Sequence, residues 1–265
     1  MFGMLLRYWR NARGLSQNDL AATADVSSRH LSFLETGRAM PSRDMVMRLS
    51  AALNVPMREQ NGLLRAAGFA DQFAEPGMGE TLDPLVRRTV EHMLQKQEPY
   101  PMVVMNSHYD VVRFNDAALR LFTFILGDRI AELGPTPNAM RMIFDERALR
   151  PFLCDWPANA RFALLRMQRE VMQRPADVAH KQLFSELLAY PGVPADWRTP
   201  DLQEACSATF NGHIEVAGQR YGFLTALTVF SAPQNITIEE LQLESYYPLD
   251  DVTDALCQRL AREQS

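Results

Sequence analysis

The chain has little cysteine: Cys154, Cys206 and Cys257 lie far apart in 265 residues, with no CxxC and no histidine at ligand spacing. That excludes a disulfide framework and predicts reduced, buried thiols in a cytoplasmic protein. Long apolar runs are also missing. None approaches the ~20 residues that span a bilayer. The N-terminus, MFGMLLRYWRNARG, lacks the uninterrupted apolar stretch and cleavage site of a signal peptide, so no membrane partner is expected. There is no GxSxG, phosphate-binding glycine loop, HExxH or dinucleotide fingerprint. The five histidines (30, 92, 108, 180 and 213) do not cluster along the chain. No catalytic residue, metal site or cofactor is therefore expected, and the chain reads as a non-enzyme.

Lysine is absent from residues 1–70, where nine arginines face five acids for a net charge of +4. The remainder holds 18 basic and 27 acidic residues, net −9, which together give the overall −5. A basic head on an acidic body favours phosphate contact at one end only. With 47% hydrophobic residues the chain buries a real core.

The head reads as helices. Met4, Leu5, Tyr8, Trp9 and Ala12 recur at helical spacing and predict an apolar face, with Gly14 as the stop. Ser16 is placed to cap a second helix, with Asp19 three positions on completing a capping box. From Gln17 onward come Leu20, small Ala21 and Ala24, a turn residue Asp25, then Val26, Leu31 and Leu34. A steep helix crossing needs a small residue at the contact, and a sharp turn needs one that tolerates a left-handed backbone. Ser27 or Ser28 caps the next helix, and Thr36-Gly37 ends it. Burying Leu31 and Leu34 turns Ser28, Arg29 and Ser32 outward, the geometry of a recognition helix. Arg29 suits a guanine edge or a phosphate, and Gln17 at its helix N-terminus suits a phosphate, as do Arg38 and Arg10. His30 reads as packing, and Glu35 as an internal partner for an arginine.

LSQNDLAATADVSSRHLSFLETGRAMPS resembles the helix-turn-helix of the Xre, or λ-repressor-like, regulators. The resemblance implies an all-α domain of five helices over residues 1–70, the fourth and fifth at 43–53 and 56–67, binding double-stranded DNA as a homodimer on an inverted repeat. Asp25 stands where that family usually has Gly, which bears on turn strain.

Residues 71–81 (DQFAEPGMGET) carry one Pro and two Gly with little apolar content, and read as a linker. Beyond it, 82–265 reads as a second domain. A helix is predicted at 83–97, strands at 101–106 and 110–114, a helix capped by Asn115 or Asp116, and mostly helix over 138–189 with breaks at Pro151, Pro157 and Pro175. A β-rich stretch follows, with a hairpin turn at Asn211-Gly212, a second turn at 217–219, and strands at 220–230 and 238–247. That order gives an α+β domain with an antiparallel sheet.

Four segments extend the resemblance: GRAMPSRDMVMRLSAALNVPMREQNGLLRAAGFA, EPYPMVVMN, DWPANARFALLRMQRE and SAPQNITIEELQLESYYPLD look like the MmyB-like regulators. That family joins an Xre head to a PAS-like ligand-binding domain, so the resemblance implies a small-molecule ligand, a fatty acid or similar lipophile. Asp155 precedes Trp156 where the family often has Asn, which bears on the pocket mouth if Trp156 lines it. Fourteen Met and fourteen Phe suit an adaptable apolar cavity. Met105 and Phe122 either line such a cavity or simply build the core. For a ligand carboxylate, Arg166, Arg113 and Asn115 are the candidates. The alternative is a C-terminal domain that serves only dimerisation or protein docking.

Overall fold

The computed structural model describes residues 1–76, 83–175, 177–199, 211–231 and 233–263. They form two compact units: Met1–Pro76 together with short stretches from 174–176 and 233–239, and the rest of the chain. Part of the expected linker, 77–81, lies outside the described residues, as does Cys206.

The first unit is the expected five helices: α1 (Phe2–Ala12), α2 (Gln17–Thr23), α3 (Ser28–Glu35), α4 (Arg43–Ala52) and α5 (Met57–Ala66). The Ser16 hydroxyl accepts the Asp19 N–H at 3.1 Å and the Asp19 carboxylate accepts the Ser16 N–H at 2.9 Å, closing the capping box of α2. Ser27, not Ser28, caps α3, accepting the His30 N–H at 3.2 Å. Asp25 takes φ 51 between the two helices, the left-handed turn that the usual Gly would supply. One face is not as expected. Helix α1 buries Phe2, Leu6, Trp9 and Arg10 with Gly3, while Met4 and Tyr8 are exposed. Two apolar stripes run along this short helix, and the one containing Leu6 reaches the core built by Leu20, Leu31, Leu34, Leu49 and Leu64. Gly3 permits the approach: a Cβ there would fall 2.4 Å from the Leu34 carbonyl oxygen and 2.6 Å from that of Glu35. Residues 71–76, expected as linker, are instead tied to α5. The Asn61 side-chain oxygen accepts the N–H groups of Gln72 (2.9 Å) and Phe73 (3.1 Å), and Arg58 pairs with Glu75.

The second unit contains α6 (Pro84–Gln97), β1 (Met102–Met105), β2 (Val111–Phe114), α7 (Asp116–Leu126), α8 (Ala139–Phe144), α9 (Trp156–Gln173), α10 (Val178–Leu188), β3 (Asn211–Val216), β4 (Gln219–Thr228), β5 (Gln242–Pro248) and α12 (Asp251–Arg262); a short α11 (Ile236–Glu240) precedes β5. The strands make one antiparallel sheet in the order β2-β1-β5-β4-β3. Asn115 caps α7: its side-chain oxygen accepts the N–H of Ala118 at 3.0 Å and of Met102 at 2.9 Å.

Three expectations are corrected. Asn211-Gly212 lies within β3, paired with Leu224 and Phe223, and the hairpin turns at Ala217-Gly218, both with positive φ, between Val216 and Gln219. Such a turn matches the strand twist. The strand expected from 238 begins at 242, because the Asn235 side-chain oxygen accepts the Ile238 N–H at 3.0 Å and starts α11. Pro157 does not break a helix but sits second in α9, where a missing N–H costs nothing.

Period-two alternation sorts the sheet's faces. Met102, Val104 and Leu243 pack under Val90 and Leu94 of α6. Val103, Val111, Phe223, Thr225, Glu244 and Tyr246 face the other way, toward α7, α8 and α9.

Candidate functional site

In the head, α3 presents Arg29 exposed with Ser28 and Ser32 half-buried on the same side, as the burial of Leu31 and Leu34 requires. Arg29 lies over the Phe33 ring, 5.5 Å from its centroid, which steadies an exposed side chain. Ser27 and Arg38 are exposed. Gln17 is half-buried, and its amide donates to Glu35 Oε2 at 2.8 Å. Arg10 departs from the expectation of a phosphate contact. It is 9% exposed, and donates to both Glu35 oxygens (2.6 and 3.1 Å) and to the Leu15 carbonyl (2.8 Å), so it braces the fold. Burial pushes the Glu35 carboxyl up, but the hydrogen bonds from Arg10 and Gln17 outweigh it and hold it below its usual range.

The second unit encloses a cavity of about 350 Å³. Helix α7 contributes Leu121, Phe122 and Ile125, α8 Met140 and Ile143, and α9 Asn159, Phe162, Ala163 and Arg166, a set spaced i, i+3, i+4, i+7 along one helical face. The sheet closes it with Val103, Ile214, Phe223, Thr225, Leu227, Glu244 and Tyr246. The walls are mostly apolar, with Asn159 and Thr225 as polar liners and the charged side chains of Arg166 and Glu244 at one corner. There the Arg166 guanidinium donates to Glu170 Oε1 at 3.2 Å and to Gln242 Oε1 at 3.0 Å, and lies 5.1 Å from the Tyr109 ring centroid. Burial raises the Glu244 carboxyl above its usual range despite the nearby Arg166 charge and a hydrogen bond with Tyr246. Burial also raises the Tyr246 phenol well above its own, reinforced by Glu244. Arg166 is thus already paired with Glu170, and Glu244 and Tyr246, both raised by burial, stand beside it.

Of the six residues expected to bind ligand, Arg166 and Phe122 line the cavity and four do not. Asn115 is consumed by capping α7. Arg113 projects from β2 into solvent, 3.8 Å from Glu91. Met105 is fully buried in the core, and Trp156 packs edge-on against Phe144 while donating to the Ile143 carbonyl at 2.9 Å. Arg166, Tyr246 and Glu244 converge only because strand β5 is laid against α9. Asp155, exposed, accepts the Ala158 N–H at 3.2 Å at the start of α9.

A second polar cluster was not expected. His108, Asp177 and His180, dispersed in sequence, each bring a ligand-type atom within 4.8 Å of the others. His108 Nε2 lies 2.9 and 3.0 Å from the Asp177 oxygens, and Asp177 accepts the His180 backbone N–H at 2.9 Å. Burial pushes Asp177 up, but these two hydrogen bonds hold it far below the carboxylate range. Of the thiols, Cys154 is exposed against expectation, and Cys257 is buried, which raises it to about 11. Among the described residues, no helix is long and apolar enough to cross a membrane.

Residues 86–260 match the family described as the MmyB-like transcription regulator ligand binding domain, and residues 6–60 match the helix-turn-helix family. The chain belongs to the MmyB-like transcription regulators. The HTH-type transcriptional regulator DdrOP3 of Deinococcus deserti is 32% identical over 95 residues, which cover 32% of this chain and 74% of that protein. The uncharacterized HTH-type transcriptional regulator RghRB of Bacillus subtilis is 39% identical over 75 residues, 28% of this chain and 52% of its own, so the chain spans about half of that relative. A solved structure of an RNA-binding light-oxygen-voltage receptor aligns over 99% of this chain and 61% of its own at 11% identity, with a TM-score of 0.25. This MmyB-like regulator therefore pairs a helix-turn-helix DNA-binding head with a ligand-binding body.

Proposed function

We propose that the body holds a long-chain fatty acid or similarly shaped lipophile, and that its occupancy adjusts how a homodimer grips an inverted repeat. The observation that carries this reading is the cavity of about 350 Å³ with mostly apolar walls and one polar corner. Its size falls in the usual range for small-molecule pockets. A ten-carbon tail buried there contributes about 8 kcal/mol before association costs. The ligand's polar end belongs at Arg166, beside Tyr246 and Glu244, whose burial favours its protonated form; Arg166 alone is already balanced by Glu170. In the head domain, Arg29 reads base edges from α3 with Ser28 and Ser32, while Gln17, Ser27 and Arg38 meet phosphates. The body's sheet packed with helices supports a PAS-like sensor, and the protein acts as a cytoplasmic regulator rather than an enzyme.

Solvent extraction and mass spectrometry of the purified protein should yield the lipid. Operator affinity should then differ between delipidated protein and protein reloaded with saturated acids of about ten to eighteen carbons, since only differential affinity shifts a conformational equilibrium. An extract without lipid, and no thermal shift with any of these acids, returns the body to a dimerisation or docking module.

A further inference from the structure

We propose that His108, Asp177 and His180 form a binding site for a divalent transition-metal ion of the zinc class. The donor set is two imidazoles and one carboxylate, the mixture that zinc, cobalt(II), nickel(II) and iron(II) accept and that magnesium and calcium do not. The donor atoms already lie within 4.8 Å of one another. Bonds of 2.0–2.2 Å place neighbouring ligands roughly 3.3 Å apart in a tetrahedral site, so small side-chain rotations complete it.

His180 supplies the independent sign of a missing partner. It is wholly buried, and among the described residues neither ring nitrogen has a hydrogen-bond partner. Nε2 stands 3.3 Å from Glu170 Oε2 without hydrogen-bond alignment. A buried imidazole with both nitrogens unsatisfied is a costly residue to keep in a core. A metal ion on one nitrogen, with Glu170 receiving the proton of the other, satisfies both and gives the carboxylate–histidine–metal arrangement common at metal sites. The His108 side chain is 26% exposed, which gives an ion a way in from solvent. Three protein ligands leave one position for water or an exogenous group. Glu170 also accepts the Tyr109 hydroxyl at 2.6 Å and pairs with Arg166 at 3.2 Å, so the site adjoins the cavity's polar corner through one carboxylate.

The test uses untagged, chelator-treated full-length protein. Calorimetry with Zn²⁺ should show about one ion per chain, and Co²⁺ should develop the visible bands of nitrogen and oxygen coordination. His180→Gln and His108→Gln should each weaken binding about ten-fold or more, while His92→Gln and Cys154→Ser leave it unchanged. If the buried His180 variant does not fold, the partly exposed His108 variant decides. No binding of either ion to the wild-type protein overturns the site. So does undiminished affinity in folded His108→Gln, or loss of binding in Cys154→Ser.

Discussion

Arg10 of the first helix and Glu35 at the end of the recognition helix form a bidentate pair across 25 residues of chain, at 2.6 and 3.1 Å. Gln17 adds a third bond to the same carboxylate at 2.8 Å, so one buried acid gathers α1, α2 and α3. The side chains are 11% and 3% exposed. Removing one partner strands the other's charge, so Glu35→Gln should cost about 3 kcal/mol in urea unfolding, and Arg10→Met with Glu35→Leu should recover much of it. Because Glu35 is held below its usual range, its contribution is present above the unfolded value near 4.3 and is lost as pH falls through the folded one. A cost under about 1 kcal/mol would place the pair among ordinary surface bridges.

Arg29 and Arg38 should separate by type of loss. Arg29→Ala should cost about 1–3 kcal/mol at particular base positions, whereas Arg38→Ala should weaken all sequences and shallow the salt dependence by about one unit of slope. Binding assays on operator and random DNA at several salt concentrations measure both. Equal losses on the two DNAs for Arg29→Ala would remove it from base reading.

Asp25 holds φ 51, a conformation that costs an L-residue with an ordinary side chain about 1 kcal/mol or more. Asp25→Ala should therefore destabilise the head by about 1 kcal/mol, and Asp25→Gly should not. Thermal unfolding of the two variants compares them directly; equal losses would show that the aspartate side chain, not the turn, matters.

Glu244 titrates in the opposite sense to Glu35. Burial raises its folded value, so the stability it contributes is full below the unfolded value near 4.3 and is lost as pH rises through the folded one. Glu244→Gln should therefore gain stability relative to the wild type between a pH near the unfolded value and neutral pH. Denaturant midpoints at the two pH values test it, and a pH-independent difference would mean that Glu244 stays ionised.

Ala163 faces the cavity from the buried side of α9. Ala163→Phe should fill part of the space, leave the melting temperature within a few degrees of wild type, and abolish the thermal upshift that the proposed fatty-acid ligand should give by mass action. An unchanged upshift would place the ligand elsewhere.

The head was legible nearly residue by residue, because capping serines, small contact residues and a turn aspartate each answer a local demand. Glu35 was readable as an arginine's partner, but which arginine was not. Arg7 and Arg10 lie on one short helix with Arg13 at its C-terminal cap, and only the rotation that buries Leu6 turns Arg10 inward. In the body, elements were readable and convergence was not. Arg166 was readable as a candidate on a helix that also carries Arg161 and Arg169, yet Glu244 and Tyr246 join it through strand pairing that no spacing reports. The Asp177–His180 separation is a helix-cap interval that hints at contact; His108 arrives from another turn altogether.

Gly3 sets α1 backbone to backbone against the last turn of α3. A Cβ at Gly3 would meet main-chain carbonyls rather than a yielding side chain, so any larger residue there forces α1 and the recognition helix apart. On the proposed reading of Ser28, Arg29 and Ser32 as base contacts, operator preference can then change at the outer face of α3 without touching the main-chain contact behind it.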